Sequence, residues 1–290
     1  MDTITNPIIR VTQLTKAYPE FSLGPISFDL PSNSFMALLG PNGSGKTSII
    51  KILARVRQRD SGGIAIFGKD YDLKHPQIKQ EIGVFLDEHH FPDELMIHEL
   101  RWILSGIYKN WQPDLFLSYM YKFVLPVYRK LNTFTPDMKL KLGLAVALSH
   151  QSRILLVDEP TDGYSPGIRD EIMTELQEFA QKEGNSVLFA THNPANLGKL
   201  TDRVAIINDG QFLITVETKQ IQEDYVLVKF SPTLFDKLKP LMIGYAKTKH
   251  GFEGITQQPE EVKRIAASNT VVMTPATLSD LMRFFVKGVQ

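Results

Sequence analysis

The feature that most restricts this chain is an unbroken apolar run, Phe35-Met36-Ala37-Leu38-Leu39, that passes straight into Gly40-Pro41-Asn42-Gly43-Ser44-Gly45-Lys46-Thr47. Five apolar residues without polar alternation suit a strand covered on both faces of a sheet. Ser48-Ile49-Ile50-Lys51-Ile52-Leu53-Ala54 then continues with helical character. Strand, glycine loop and helix in that order form the frame a phosphate loop requires, and the eight loop residues fit G-x-x-x-x-G-K-[ST]. Glycines at Gly40, Gly43 and Gly45 let backbone N–H groups turn toward phosphate oxygens at the positive end of the following helix. The expected nucleotide cradle is therefore Gly40, Pro41, Asn42, Gly43, Ser44, Gly45, Lys46, Thr47 and Ser48. Lys46 reaches the β- and γ-phosphates, and the Thr47 hydroxyl enters a Mg²⁺ shell.

A phosphate loop alone does not separate kinases, GTPases and ATPases; a second block narrows the choice. Ile154-Leu155-Leu156-Val157 is another fully apolar strand, and it ends in Asp158-Glu159-Pro160. Such a strand delivers Asp158 to the metal beside the phosphate loop. Glu159 is then placed to polarise a water for attack on the γ-phosphate.

Other segments fill in an α/β order. Ile8 to Val11 and Ile26 to Leu30 read as short strands in a region broken by Pro19, Gly24 and Pro25. Strands are also expected at Gly63 to Phe67, Ile82 to Leu86, Ser186 to Ala190 and Arg203 to Asn208, with a turn at Asp209-Gly210 and a helix from Gly167 to Lys182. Strands alternating with helices argue for a mostly parallel sheet with helices on its faces. Pro92 to Ser149 reads as helical, with Trp102, Tyr108, Trp111, Phe116, Tyr119 and Phe123 expected to pack a helical core. After about Lys219 the pattern shifts to short mixed elements and ends in an amphipathic helix, Leu278 to Val286.

Composition excludes several classes. The 290 residues hold 32 Lys+Arg against 32 Asp+Glu, so no net basic field exists to bind nucleic acid. Cysteine is absent, which removes disulfides, thiolate metal sites and cysteine nucleophiles together. No apolar run approaches the ~18–20 residues that span a bilayer, and the first residues lack a signal-peptide pattern. A soluble, intracellular protein is expected.

The pair GPNGSGKT and ILLVDEP, followed by Ala190-Thr191-His192, resembles the nucleotide-binding subunit of an ATP-binding cassette (ABC) transporter. The resemblance is strongest to ATPases of type-2 ABC exporters, which move drugs, lipids, polysaccharides or peptides out of bacteria, and it runs from about Ile8 to Gln211. It implies a P-loop NTPase of the ABC fold: a mostly parallel sheet core, an N-terminal antiparallel β subdomain and an inserted helical subdomain over about 91–149. Residues 1–218 would form this cassette, and 219–290 a small C-terminal accessory domain. The resemblance further implies ATP and Mg²⁺, a separate transmembrane permease, a homodimer or heterodimer with a second ABC ATPase, and a place on the inner face of the cell membrane. His192 matches the family's histidine at the γ-phosphate, and Tyr18 the aromatic that stacks on adenine.

Three positions depart from that family's pattern. Asp87 stands where a glutamine usually reaches Mg²⁺, and it too can hold the metal or its water; His89 and His90 beside it are expected to be solvated. The signature segment reads Phe134-Thr135-Pro136-Asp137-Met138. Thr135 keeps the hydroxyl that would meet the γ-phosphate of an opposing subunit, while Asp137 replaces a glycine, setting a carboxylate against a polyanion. The same segment also reads as a helix start with Asp137 as its cap. Ser165 replaces the usual acid after the DEP block. Two other readings stay open: a regulatory or low-turnover cassette, and a soluble ABC protein acting on ribosomes or DNA.

Overall fold

The computed structural model describes residues 7–71, 75–86, 91–159, 163–197, 200–266 and 271–286. They fall into two compact units, residues 1–36 with 46–190 and residues 37–45 with 191–290. The division lies inside strand β3 (Phe35–Leu39).

In the first unit, β1 (Ile9–Tyr18), β2 (Phe21–Leu30), β4 (Ser61–Ile66) and β5 (Lys69–Asp70) form an antiparallel sheet in the order β2-β1-β4-β5. Ile9 opposes Leu30 and Tyr18 opposes Phe21. Both strands are longer than the sequence suggests, and β2 runs through Gly24 and Pro25. Register shifts between Val11 and Leu14, and between Leu14 and Lys16, break the ladder beside them. A proline without an N–H is tolerated in a strand at such an irregularity.

Parallel strands β6 (Ile82–Leu86), β7 (Ile154–Asp158) and β8 (Ser186–Thr191) lie side by side, with Leu86 opposite Asp158 and Asp158 opposite Ala190. Every residue of β7 is buried, which is why its sequence shows no alternation. The unit's helices are α1 (Lys46–Leu53), α2 (Ile97–Ile107), α3 (Pro113–Lys122), α4 (Pro136–Leu148) and α5 (Pro166–Ala180). The expected aromatic core is found at Phe116, Tyr119 and Phe123, but Trp102 is 79% exposed. Helix α2 buries Ile97, Leu100 and Leu104, an i, i+3, i+7 stripe that leaves Trp102 on the open side.

In the second unit, β9 (Arg203–Asn208) and β10 (Gln211–Glu217) form a hairpin closed by Asp209-Gly210, both in left-handed backbone. Beyond it comes an element the sequence did not reveal, an antiparallel sheet. Its strands are β11 (Val226–Phe230), β12 (Gly244–Thr248), β13 (Gly251–Thr256) and β14 (Val271–Pro275), in the order β12-β13-β11-β14. Helix α6 (Ile221–Asp224) leads into β11, α7 (Phe235–Leu238) joins β11 to β12 and α8 (Pro259–Ile265) joins β13 to β14, around a core of Val228, Phe230, Leu238 and Val262. The last helix, α9 (Leu278–Val286), falls where its amphipathic pattern places it. It buries Leu281 and Phe284 and packs against β9, β12 and β13. Arg283 on α9 and Lys229 on β11 both pair with the buried carboxylate of Glu253. No helix of the described residues is long and apolar enough to cross a membrane.

Candidate functional site

Within the first unit, the amino end of α1 and the carboxyl end of β7 carry four charged or polar side chains into contact. The Thr47 hydroxyl donates to Asp158 Oδ1 at 3.0 Å, and Lys46 Nζ lies 3.0 Å from Glu159 Oε1. Asp158 is 7% exposed and Lys46 4%. Charges so deeply placed persist only when paired. Burial pushes the Asp158 carboxyl upward; the Thr47 hydrogen bond pulls it back, the Glu159 charge raises it again, and the Lys51 and Lys46 charges oppose the rise. Lys51 was not singled out in the sequence. Its position four residues after Thr47, on the same helix face, was the available signal.

Glu159 itself has φ 42°, the left-handed region that a non-glycine residue adopts at a cost, and its N–H donates to Ala190 O at 3.0 Å. The neighbouring parallel strand thus fixes the turn that aims this carboxylate. Ser48 lies on the first turn of α1, half-buried.

Within the second unit, Gly40 to Gly45 form the loop. Its N–H groups and turns are fixed by Gly40 N–H to Thr191 O (3.3 Å), Ser44 N–H to Pro41 O (3.2 Å) and Gly210 N–H to Ser44 O (3.1 Å). A Cβ on Gly40 would sit 2.1 Å from Ile207 O, so only glycine fits there. Gly43 at φ 81° and Gly45 at φ 106° supply the left-handed turns that point successive N–H groups to one side. Asn42 is exposed and Ser44 buried. The Ser44 hydroxyl has no hydrogen-bond partner among the described residues. His192 follows Thr191 at the end of β8 and is half-buried; Asn193, next in the chain, takes the Thr191 hydroxyl as its acceptor.

Tyr18 closes β1, with its ring 5.9 Å from that of Phe21 and 5.5 Å from the Arg57 guanidinium carbon. The signature segment differs from one expectation. Thr135, not Asp137, caps α4: its side chain accepts the Met138 N–H at 3.3 Å, while Asp137 stands exposed in the first turn. Pro136 explains the shift, since its fixed φ and missing N–H favour the first helical position and move the cap one residue back. Ser165 precedes α5 as its N-cap residue without a side-chain cap bond, and is exposed. Asp87, His89 and His90 lie outside the described residues.

A loop of glycine-supplied N–H groups leading into Lys46-Thr47, with Asp158 and Glu159 ending a buried strand, defines a P-loop nucleoside triphosphatase. The sequence matches the ABC transporter family over residues 23–162, and an AAA domain described as a putative AbiEii toxin of a type IV TA system over 138–197. It is 30% identical to the uncharacterized ABC transporter ATP-binding protein YdbJ of Bacillus subtilis over 211 residues, covering 72% of this chain and 68% of that protein. It is 32% identical over 212 residues to the bacitracin transport ATP-binding protein BcrA of Bacillus licheniformis, covering 71% and 68%. The dimeric structure of the ATP-binding cassette MJ0796 in a post-hydrolysis state, bound to ADP and Pi, is similar in fold, with TM-score 0.64 and 19% identity over 72% of this chain and 98% of that one. The chain belongs to the ABC transporter ATP-binding family. It is an ATPase, the ATP-binding and hydrolysing subunit of an ABC exporter.

Proposed function

We propose that this chain couples Mg²⁺-dependent ATP hydrolysis to export through a separate transmembrane permease, on whose cytoplasmic side it sits, and that it works as a dimer of cassettes. The observation that carries the site assignment is the contact of Lys46 with Glu159 and of Thr47 with Asp158 at a single strand end. Residues 1–218 serve as the cassette and 219–290 as an accessory domain.

The metal fits the donor set. A hydroxyl and a buried carboxylate in contact are hard oxygen ligands, and Mg²⁺ commonly takes one or two protein oxygens and leaves the rest to phosphates and water. Thr47 and Asp158 would hold it, with Asp87 or its water alongside. When bound, the ion neutralises charge that develops on phosphate oxygens.

The residues act by positioning and charge stabilisation. Tyr18 stacks on adenine, the N–H groups of Gly43, Gly45, Lys46 and Thr47 bind phosphate oxygens, and Lys46 leaves Glu159 to meet the β- and γ-phosphates. Glu159, released from its ion pair, accepts a hydrogen bond from the attacking water and orients it in line with the γ-phosphorus. His192 orients the γ-phosphate. Thr135 and Asp137 face the nucleotide of a partner cassette, where the Asp137 charge opposes the phosphates and weakens closure. A partner with a glycine at that position would give one strong and one weak site, which favours a heterodimer.

Hydrolysis by the purified chain should require Mg²⁺. A rate unchanged by excess chelator would overturn the roles given to Thr47 and Asp158.

A further inference from the structure

A cavity in the first unit, of about 600 Å³, lies at the far end of α1 from the phosphate loop and shares no residue with that loop. Ile52, Arg57, Arg59, Asp60, Tyr71 and Lys79 line it, with Arg55 stacked 3.8 Å above the Tyr71 ring. Among the described residues, four cations therefore face one carboxylate, and that carboxylate is already committed. Asp60 accepts the Ala17 N–H at 2.7 Å and Lys16 Nζ at 2.6 Å, which hold it below the usual carboxylate range. Among the described residues, Arg57, Arg59 and Lys79 have no ion-pair partner; Arg59 Nε donates only to Gly62 O at 3.0 Å.

Basic side chains after a helix often serve its last carbonyls. Here the backbone already does so. Ile50 O receives the Ala54 N–H, Lys51 O receives those of Val56 and Arg57, and Ile52 O receives that of Arg55. The side chains of Arg57, Arg59 and Lys79 are not needed for capping. A cleft lined by one sign of charge focuses the field and concentrates counter-ions, and the arginine fork matches phosphate geometry.

We propose that this cavity binds a phosphate-bearing anion of at least two negative charges, separately from ATP. The same chemistry is offered by a soluble polyphosphate compound and by an anionic lipid headgroup. The test uses the full chain saturated with a non-hydrolysable ATP analogue, so that the phosphate loop is filled. Tripolyphosphate, followed by calorimetry, should bind one-to-one, and the exposed double variant Arg57→Gln/Lys79→Gln should bind it at least tenfold more weakly with an unchanged melting temperature. Sedimentation with vesicles containing cardiolipin, whose headgroup carries two phosphates, forms the second arm. Binding there that the double variant loses, without tripolyphosphate binding, assigns the site to a lipid headgroup. The proposal fails if neither probe binds, if the analogue abolishes the binding, or if the double variant binds as tightly as the parent. A double variant that only melts earlier, with equal affinity, returns these cations to a purely structural role.

Discussion

The strand-end cluster and the signature segment are both polar, and burial separates them. Lys46 pairs with Glu159 and Thr47 with Asp158; Asp158 and Lys46 are almost wholly covered, while Thr47 is exposed. Thr135, Pro136 and Asp137 are exposed; Thr135 accepts one N–H of its own helix, and Asp137 makes no ion pair or hydrogen bond with a described residue. In the first group the charges answer one another. The second is an open surface whose chemistry waits for something outside the chain. A side chain fixed by burial has its role set by this fold alone, whereas an exposed one takes its role from the partner it meets.

The sharpest way to break this contrast is Glu159→Gln. The amide keeps the shape but orients water poorly and accepts no proton, so turnover should fall ~10²–10³-fold while nucleotide affinity stays within a few-fold. Steady-state hydrolysis beside a nucleotide titration decides it, and near-parental turnover would remove Glu159 from the chemistry. Lys46→Ala should weaken ATP binding about tenfold or more, roughly 1.4 kcal/mol, since Lys46 meets the phosphates in ground and transition states alike. Equal affinity would make Lys46 no more than the neutraliser of Glu159.

Smaller effects probe the open segment. Thr135→Val removes the cap of α4 and should cost ~1 kcal/mol in a urea melt. Asp137→Gly should also lower the stability of the isolated chain, by up to ~1 kcal/mol, because glycine disfavours the helix and the favourable charge at its amino end is lost. Yet it should strengthen MgATP-dependent dimerisation, read by light scattering in a Glu159→Gln background. A dimer no stronger than the parent's would sink the idea that Asp137 faces a partner's phosphates.

The smallest effect concerns His150, fully buried and stacked 4.0 Å from Tyr108, with Nδ1 3.2 Å from Gln80 O. Burial pushes its pKa below the ordinary 6.5. The unfolded chain therefore takes up a proton at a pH where the folded chain does not. This stability is present above about pH 6.5 and is lost as pH falls toward the folded value. Urea midpoints should drop between pH 7 and pH 5.5, and less so in His150→Gln; an equal drop in both would assign the acid sensitivity elsewhere.

The sequence by itself determined the two fully buried strands and the glycine loop that follows the first of them. Strands β3 and β7 are legible because a strand buried on both faces must be apolar throughout, and the loop because Gly40 has no room for a Cβ while Gly43 and Gly45 take left-handed backbone. The ends of α9 were legible for a similar reason, since one apolar stripe at helical spacing has a single stable orientation. Tertiary structure alone decided what depends on neighbours distant in the chain. Strand β2 passes through Pro25 because β1 is irregular opposite it, and Trp102 stays exposed because Ile97, Leu100 and Leu104 take the buried stripe of α2. The sheet of residues 226–275 was hidden in short strands whose pairing is set by long-range contacts. The basic cavity follows the same logic. Arg57, Arg59 and Lys79 are ordinary surface cations in the sequence, and only folding gathers them around one space while Asp60 turns away to Lys16 and Ala17.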